Sequence, residues 1–153
     1  HEHRLENYLV ANAPELFPFI NLEEILELHK LDIRVVRSMH RENWYRWGDL
    51  YVGHFDKALG NAASTAQALL RERGVSLIQG HVHKAGMTSK RFLDRSLFAY
   101  ENPCLANMDV PYVKSPNWQH GFSVIYKYLE ETHVFVIPIK NGRFIFEGKL
   151  WEV

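Results

Sequence analysis

The spacing of apolar positions is helical at the start of the chain and changes to an extended pattern a little past residue 30. Leu5, Tyr8 and Leu9 fall on one helical face, so the first thirty residues read as helical. Pro14 and Pro18 divide that stretch, because an interior proline removes a backbone donor and clashes with the preceding turn. Asn21-Leu22-Glu23-Glu24 offers a capping-box-like start, after which Ile25, Leu26 and Leu28 form a short stripe expected to be buried. Residues 33–36 and 50–53 are short apolar runs of strand type, separated by a polar and aromatic stretch carrying Trp44, Tyr45 and Trp47, and together they suggest a hairpin. The spacing then predicts a helix over 61–73, with Asn61 as N-cap, basic residues in the last turn and Gly74 as a left-handed C-cap. A strand over 75–79 follows at once. Further strands are predicted at 92–100, 121–128, 134–139 and 143–146, with Asn141-Gly142 as a two-residue turn between the last two. There is no repeat and no Gly/Ser-rich linker, so residues 1–153 read as a single unit of mixed α and β.

Composition narrows the picture. A hydrophobic fraction of 46% in 153 residues is enough to build a core and argues against disorder. Eighteen basic residues balance eighteen acidic ones, so there is no general pull toward nucleic acid, which is left unsupported as a partner. Cys104 is the single cysteine; it forbids an internal disulfide and suits a reducing compartment, by default the cytoplasm. The apolar run at 134–139 is far short of a membrane span and nothing resembles a secretion signal, so no membrane association is expected. The chain opens on His1-Glu2-His3 without Met, which reads as a processed product or a fragment.

The candidate chemistry sits around one β-α-β unit. The strand at 50–53 runs into His54, the helix crosses back, and the strand at 75–79 runs into Gly80-His81-Val82-His83. A helical crossover of this length favours parallel strands, whose carboxyl ends share one sheet edge, where open α/β sheets bind ligands. His54, His81 and His83 would then converge, with the i, i+2 pair on one side and Val82 pointing back into the protein if the segment is extended. Gly53 and Gly80 would let the backbone approach a ligand. Neutral imidazole suits Zn, Mn, Fe or Ni, so the three histidines make a candidate metal site. His29, His40 and His133 lack such placement and read as surface or hydrogen-bonded residues. Trp44, Trp47 and Trp118 read as core or rim packing.

Gly80-His81-Val82-His83 resembles the G-H-x-H motif of calcineurin-like metallophosphoesterases. Glu101-Asn102-Pro103-Cys104-Leu105 and Asn117-Trp118-Gln119-His120-Gly121-Phe122 resemble the C-terminal signature of the phage and bacterial branch of that family. His1-Glu2-His3-Arg4-Leu5-Glu6 is similar to the stretch after Gly-Asn in the family's G-N-H-E motif. The resemblance spans nearly the whole chain and implies the C-terminal part of a four-layer αββα sandwich. It implies hydrolysis of a phosphate mono- or diester at a centre of two divalent ions, Mn²⁺ first, with Zn²⁺, Fe or Ni as alternatives. By the same resemblance His1 assists the leaving oxygen or stabilises phosphoryl charge, His54 and His81 ligate one metal, and His83 reaches the other. Arg4 is a weak candidate for substrate contact, and Gln119, His120 and the Asn117-Trp118 pair are assigned a structural role.

The family's Asp-x-His pair, its bridging Asp and the Asn before its motif histidine lie upstream of the position that His1 occupies. Asp56 and Asp109 are in the wrong order to replace them. Two-metal phosphoryl chemistry needs a bridging carboxylate to hold the ions. The chain is therefore expected to need the N-terminal half of the same domain as its partner. The alternative is a non-catalytic binding or assembly module that keeps the second half of the fold.

Overall fold

The computed structural model describes residues 2–17, 19–20, 22–36, 44–55, 57–108 and 116–153, with the side chains of residues 2–6 and 22 outside the description. The chain divides into two compact units, His1–Arg37 and Ser38–Val153. The first unit holds helix α1 (Glu2–Asn12), the one-turn helix α2 (Leu22–Ile25) and a 3₁₀ turn at Leu28–Leu31. Leu9 is buried, whereas Tyr8, expected on the same face, is exposed. Ile25 and Leu26 are also exposed rather than buried, since a single turn is too short to present a stripe to a core. The proposed cap Asn21 and the divider Pro18 lie outside the described residues.

Residues 33–36 form no strand. The 3₁₀ turn closes through Asp32, which is left-handed at φ 53°, and the segment has no ladder partner among the described residues. The hairpin is made instead by β1 (Tyr45–Trp47) and β2 (Leu50–Gly53), so the aromatic stretch read as a separator is itself a strand.

In the second unit, helix α3 (Ser64–Arg73) connects β2 to β3 (Ser76–Gln79), and the two strands are parallel, with Leu50 opposite Ser76 and Gly53 opposite Gln79. β4 (Gly86–Arg91) and β5 (Ser96–Glu101) then form an antiparallel hairpin whose second strand lies parallel to β3. The sheet order is β1-β2-β3-β5-β4, a parallel centre with an antiparallel strand at each edge. The central strand β3 is buried along its whole length, as expected when both faces are covered. Leu77 points to the α3 side, where it packs with Phe55, Ala66, Leu69, Leu70, Leu97 and Ala99. Ile78 points to the other side and joins Leu50 and Tyr100.

That second face is covered by β6 (Gly121–Tyr128) and β7 (Glu131–Pro138), whose Ile125, Val134 and Val136 pack on it. The layers are thus helix, sheet and hairpin, and the fold is of the mixed α/β class. Asp49 joins the last two layers by accepting from the Thr132 amide at 3.0 Å, while its own amide donates to Glu130 O at 2.9 Å. A final hairpin, β8 (Arg143–Phe146) with β9 (Lys149–Glu152), follows. Asn141 and Gly142 both have positive φ, as the turn reading requires, yet β7 and β8 share no ladder there; only a Lys140–Arg143 bridge closes the turn.

The start of α3 is built differently from the sequence expectation. Its N-cap position is Ala63, left-handed at φ 63° and without a side-chain cap. The cap comes from Glu101 at the end of β5, whose fully buried carboxylate accepts from the amides of Ala63 at 2.8 Å, Thr65 at 2.9 Å and Ala66 at 3.0 Å. An anion placed there satisfies otherwise unpaired amides and faces the positive end of the helix dipole. Gly86 makes the close approach possible, because a Cβ on it would lie 2.5 Å from the Ala63 nitrogen. Gly74 ends the helix as predicted, at φ 65° with its amide on Leu70 O.

Candidate metal centre

The β-α-β unit delivers two of the three histidines to one place. His54 follows the last residue of β2, and His81 lies two residues beyond the end of β3; their ring centroids are 4.8 Å apart with planes at 77°. Parallel pairing of β2 and β3 in register is what brings them together. The Gln79 side chain fixes the turn after β3 by accepting from the His81 amide at 3.0 Å. Val82 is buried, as expected.

His83 departs from the expected arrangement. The segment after Gly80 is a turn rather than an extended strand, and His83 itself is left-handed at φ 55°. Its ring packs edge-on against Trp118, with centroids 4.6 Å apart. Among the described residues, no group of three or more His, Cys, Asp or Glu side chains is arranged to hold a metal ion. Gly80 faces open space, in keeping with the expected access. Gly53 does not: the space a Cβ would take is filled by the Phe55 ring at 2.9 Å, so this glycine serves core packing. His1 lies outside the described residues, as do the Arg4 side chain, Asp56 and Asp109. His29 and His133 are exposed, and His40 is outside the description.

The segment 117–121 holds this edge together. The Gln119 amide donates to His83 O at 2.8 Å, and the Gln119 side-chain oxygen accepts from the Ala85 amide at 3.0 Å. The Cys104 amide donates to Gln119 O at 3.1 Å, and His120 O accepts from Ile139 at 2.8 Å. Lys84 is buried, and its ammonium donates to Leu59 O at 2.7 Å and to Gly60 O at 2.5 Å, tying the stretch after His54 to the His81–His83 turn. Sequence reasoning passed over Lys84 and named Glu101 only as the first residue of a signature-like segment, with no role. A lysine inside a turn and a glutamate at a strand end look like surface residues until the long-range partners are known.

Three buried polar atoms at this edge have no hydrogen-bond partner among the described residues: Gln79 Nε2, His83 Nδ1 and Asn102 Oδ1. Gln79 and Asn102 lie at the ends of adjacent strands, linked by the Asn102 amide on Gln79 O at 2.7 Å. Buried polar atoms are normally paired, and Arg73 Nε and Ser123 Oγ, away from this edge, also lack a partner among the described residues. Imidazoles such as those of the His54–His81 pair are common ligands for divalent first-row ions.

Burial, and then the nearby charge of His81, hold the His83 pKa below its ordinary value of 6.5. The unfolded chain therefore takes up a proton that the folded chain refuses. Stability is full above pH 6.5 and falls as pH drops from 6.5 through the lowered folded value. Chemical denaturation of the metal-free protein at pH about 7 and about 5.5 should show a smaller loss for His83→Gln than for the unsubstituted chain. Equal losses would refute a lowered His83 pKa.

The chain is similar to Gene 54 protein of Mycobacterium phage L5, with 26% identity over 167 residues, and to Gene 54 protein of Mycobacterium phage D29, with 27% identity over 169 residues. Each alignment covers all of this chain and 64% of the relative, so the chain spans just under two thirds of the length of these curated relatives. No protein-family model matches the chain. No solved structure matches it. No helix among the described residues is long and apolar enough to cross a membrane.

Proposed function

We propose that this chain supplies the histidine-bearing, C-terminal part of a metal-dependent phosphoesterase, acting on a phosphate mono- or diester in the cytoplasm of a bacterial or phage-infected cell. The observation that carries the reading is the His54–His81 pair at the ends of adjacent parallel strands, beside a turn whose Gly80-His81-Val82-His83 sequence resembles the family motif. Further support comes from His83 Nδ1 at the same edge, a buried imidazole nitrogen with no hydrogen-bond partner among the described residues.

In this reading His54 and His81 hold one divalent ion, Mn²⁺ first with Zn²⁺, Fe or Ni as alternatives, and His83 serves a second. Such ions, when bound, polarise phosphoryl oxygens and generate a nucleophile from water near neutral pH. The chain's own residues have the tasks of presentation. Gln79 orients the His81 backbone, Lys84 binds the two loops to each other, and Gln119 fixes the His83 turn from both sides. Burial lowers the His83 pKa, which favours the neutral imidazole a metal ligand needs. His1 assists the leaving oxygen and Arg4 contacts the phosphate on the strength of the sequence resemblance alone. The bridging carboxylate and remaining ligands come from an N-terminal half of the same domain.

A second reading, the non-catalytic binding module of the same fold half, is favoured by the exposed aromatic residues Tyr126, Tyr128 and Phe135 on the β6–β7 hairpin. The two readings separate in one assay. The chain joined to its native upstream residues is tested with Mn²⁺ on a chromogenic phosphomonoester and a chromogenic phosphodiester. Metal-dependent turnover of either, abolished by a chelator, is expected. A joined protein inert on both ester classes with Mn²⁺, Zn²⁺, Fe²⁺ and Ni²⁺ would leave the binding module.

A further inference from the structure

A cavity of about 280 Å³ opens beside the histidine pair, lined by Leu59, His81, Val82, Lys84, Pro116 and Trp118 among others. Its size is at the lower end of small-molecule sites. Its walls are of two kinds. Leu59, Val82, Pro116 and the Trp118 indole are apolar, whereas His81 brings an imidazole and Lys84 closes the wall with its ammonium held by Leu59 O and Gly60 O. Trp118 is anchored rather than loose: its ring meets His83 at 4.6 Å, and its neighbour Gln119 is bonded to His83 O and to the Ala85 amide.

An anchored indole beside an apolar wall is a platform on which a flat ring can stack, as bases stack on aromatic side chains in nucleic-acid sites. His81, shared by this cavity and the metal pair, joins the two sites. We infer that the cavity is a specificity subsite for the alcohol moiety of the ester, and that this moiety carries a planar aromatic ring seated against Trp118. The inference rests on the proposed phosphoesterase reading for the identity of the ester. It adds the substrate class, aromatic phosphate esters over aliphatic ones, whether the ring is an aryl group attached directly to the ester oxygen or a nucleobase set further away.

The test is equilibrium binding to the chain joined to its upstream residues, with phenyl phosphate, adenosine monophosphate and n-butyl phosphate as probes of matched headgroup. At least one aromatic probe is expected to bind about tenfold more tightly than n-butyl phosphate, which corresponds to about 1.4 kcal/mol. Tighter phenyl phosphate points to an aryl ester, tighter adenosine monophosphate to a nucleotide. Trp118→Leu should erase the preference and Trp118→Phe should retain most of it. Should Trp118→Leu fail to fold, the indole N–H resonance of Trp118 in the unsubstituted protein provides the readout. It should shift on titration with the preferred aromatic probe and not with n-butyl phosphate. Equal affinity for all three probes, or a preference that survives Trp118→Leu, would overturn the inference. The function and the subsite fail separately. Hydrolysis without aromatic preference removes the subsite alone, and aromatic preference without metal-dependent hydrolysis removes the phosphoesterase reading alone.

Discussion

Replacing Glu101 with Ala is expected to lower the unfolding free energy by about 3–5 kcal/mol, a large part of the total for a domain of this size. The carboxylate is fully buried and serves three backbone amides at the start of α3. Truncation leaves those donors without an acceptor, two of them in buried surroundings, and removes an anion from the positive end of the helix dipole. Glu101→Gln keeps an acceptor oxygen but not the charge, so it should cost roughly half as much. Glu131→Ala, at the exposed start of β7, should stay within about 0.5 kcal/mol. Denaturant titration followed by circular dichroism measures all three. A loss below about 1 kcal/mol for Glu101→Ala would mean that the cap is not formed in solution. Because α3 links the strand before His54 to the strand before His81, the same substitution should also weaken any activity of the histidine pair.

His81→Ala is expected to reduce metal-dependent hydrolysis by the joined protein about 10²- to 10³-fold, corresponding to about 3–4 kcal/mol of lost transition-state stabilisation. His54→Ala should fall in the same range. Combining them should cost little more than either alone, since both are proposed to hold the same ion and residues acting as one unit are not additive. His133→Ala, on the exposed face of β7, should be neutral and guards against a general effect of losing imidazole. Full additivity of His54→Ala and His81→Ala would indicate two independent sites.

The parts of the fold that were legible in the sequence are those where local pattern and burial agree. The runs at 50–53, 121–128 and 143–146 became β2, β6 and β8 with their expected bounds, and Gly74 closed α3 as a left-handed cap. The β-α-β spacing also foretold that His54 and His81 would meet, because parallel pairing follows from the length of the crossover. Legibility failed where long-range partners decide. Residues 33–36 are apolar enough for a strand but have no ladder partner among the described residues. β4 was missed because Gly86-Met87-Thr88-Ser89-Lys90-Arg91 is largely polar, as suits a sheet edge that must resist further pairing. Asn61 looked like the cap of α3, yet the acceptor came from a residue at the far end of β5. For His83 the i, i+2 rule held no force once the backbone turned after Gly80 and Trp118 took the ring.

The most direct test of the His54–His81 centre is a titration of the joined protein with Mn²⁺, followed by paramagnetic broadening of its histidine side-chain resonances. A shared ion predicts that the His54 and His81 signals vanish first, at substoichiometric metal, while that of His133 persists. Broadening that is uniform over all histidines, or that spares His54 and His81, would contradict it.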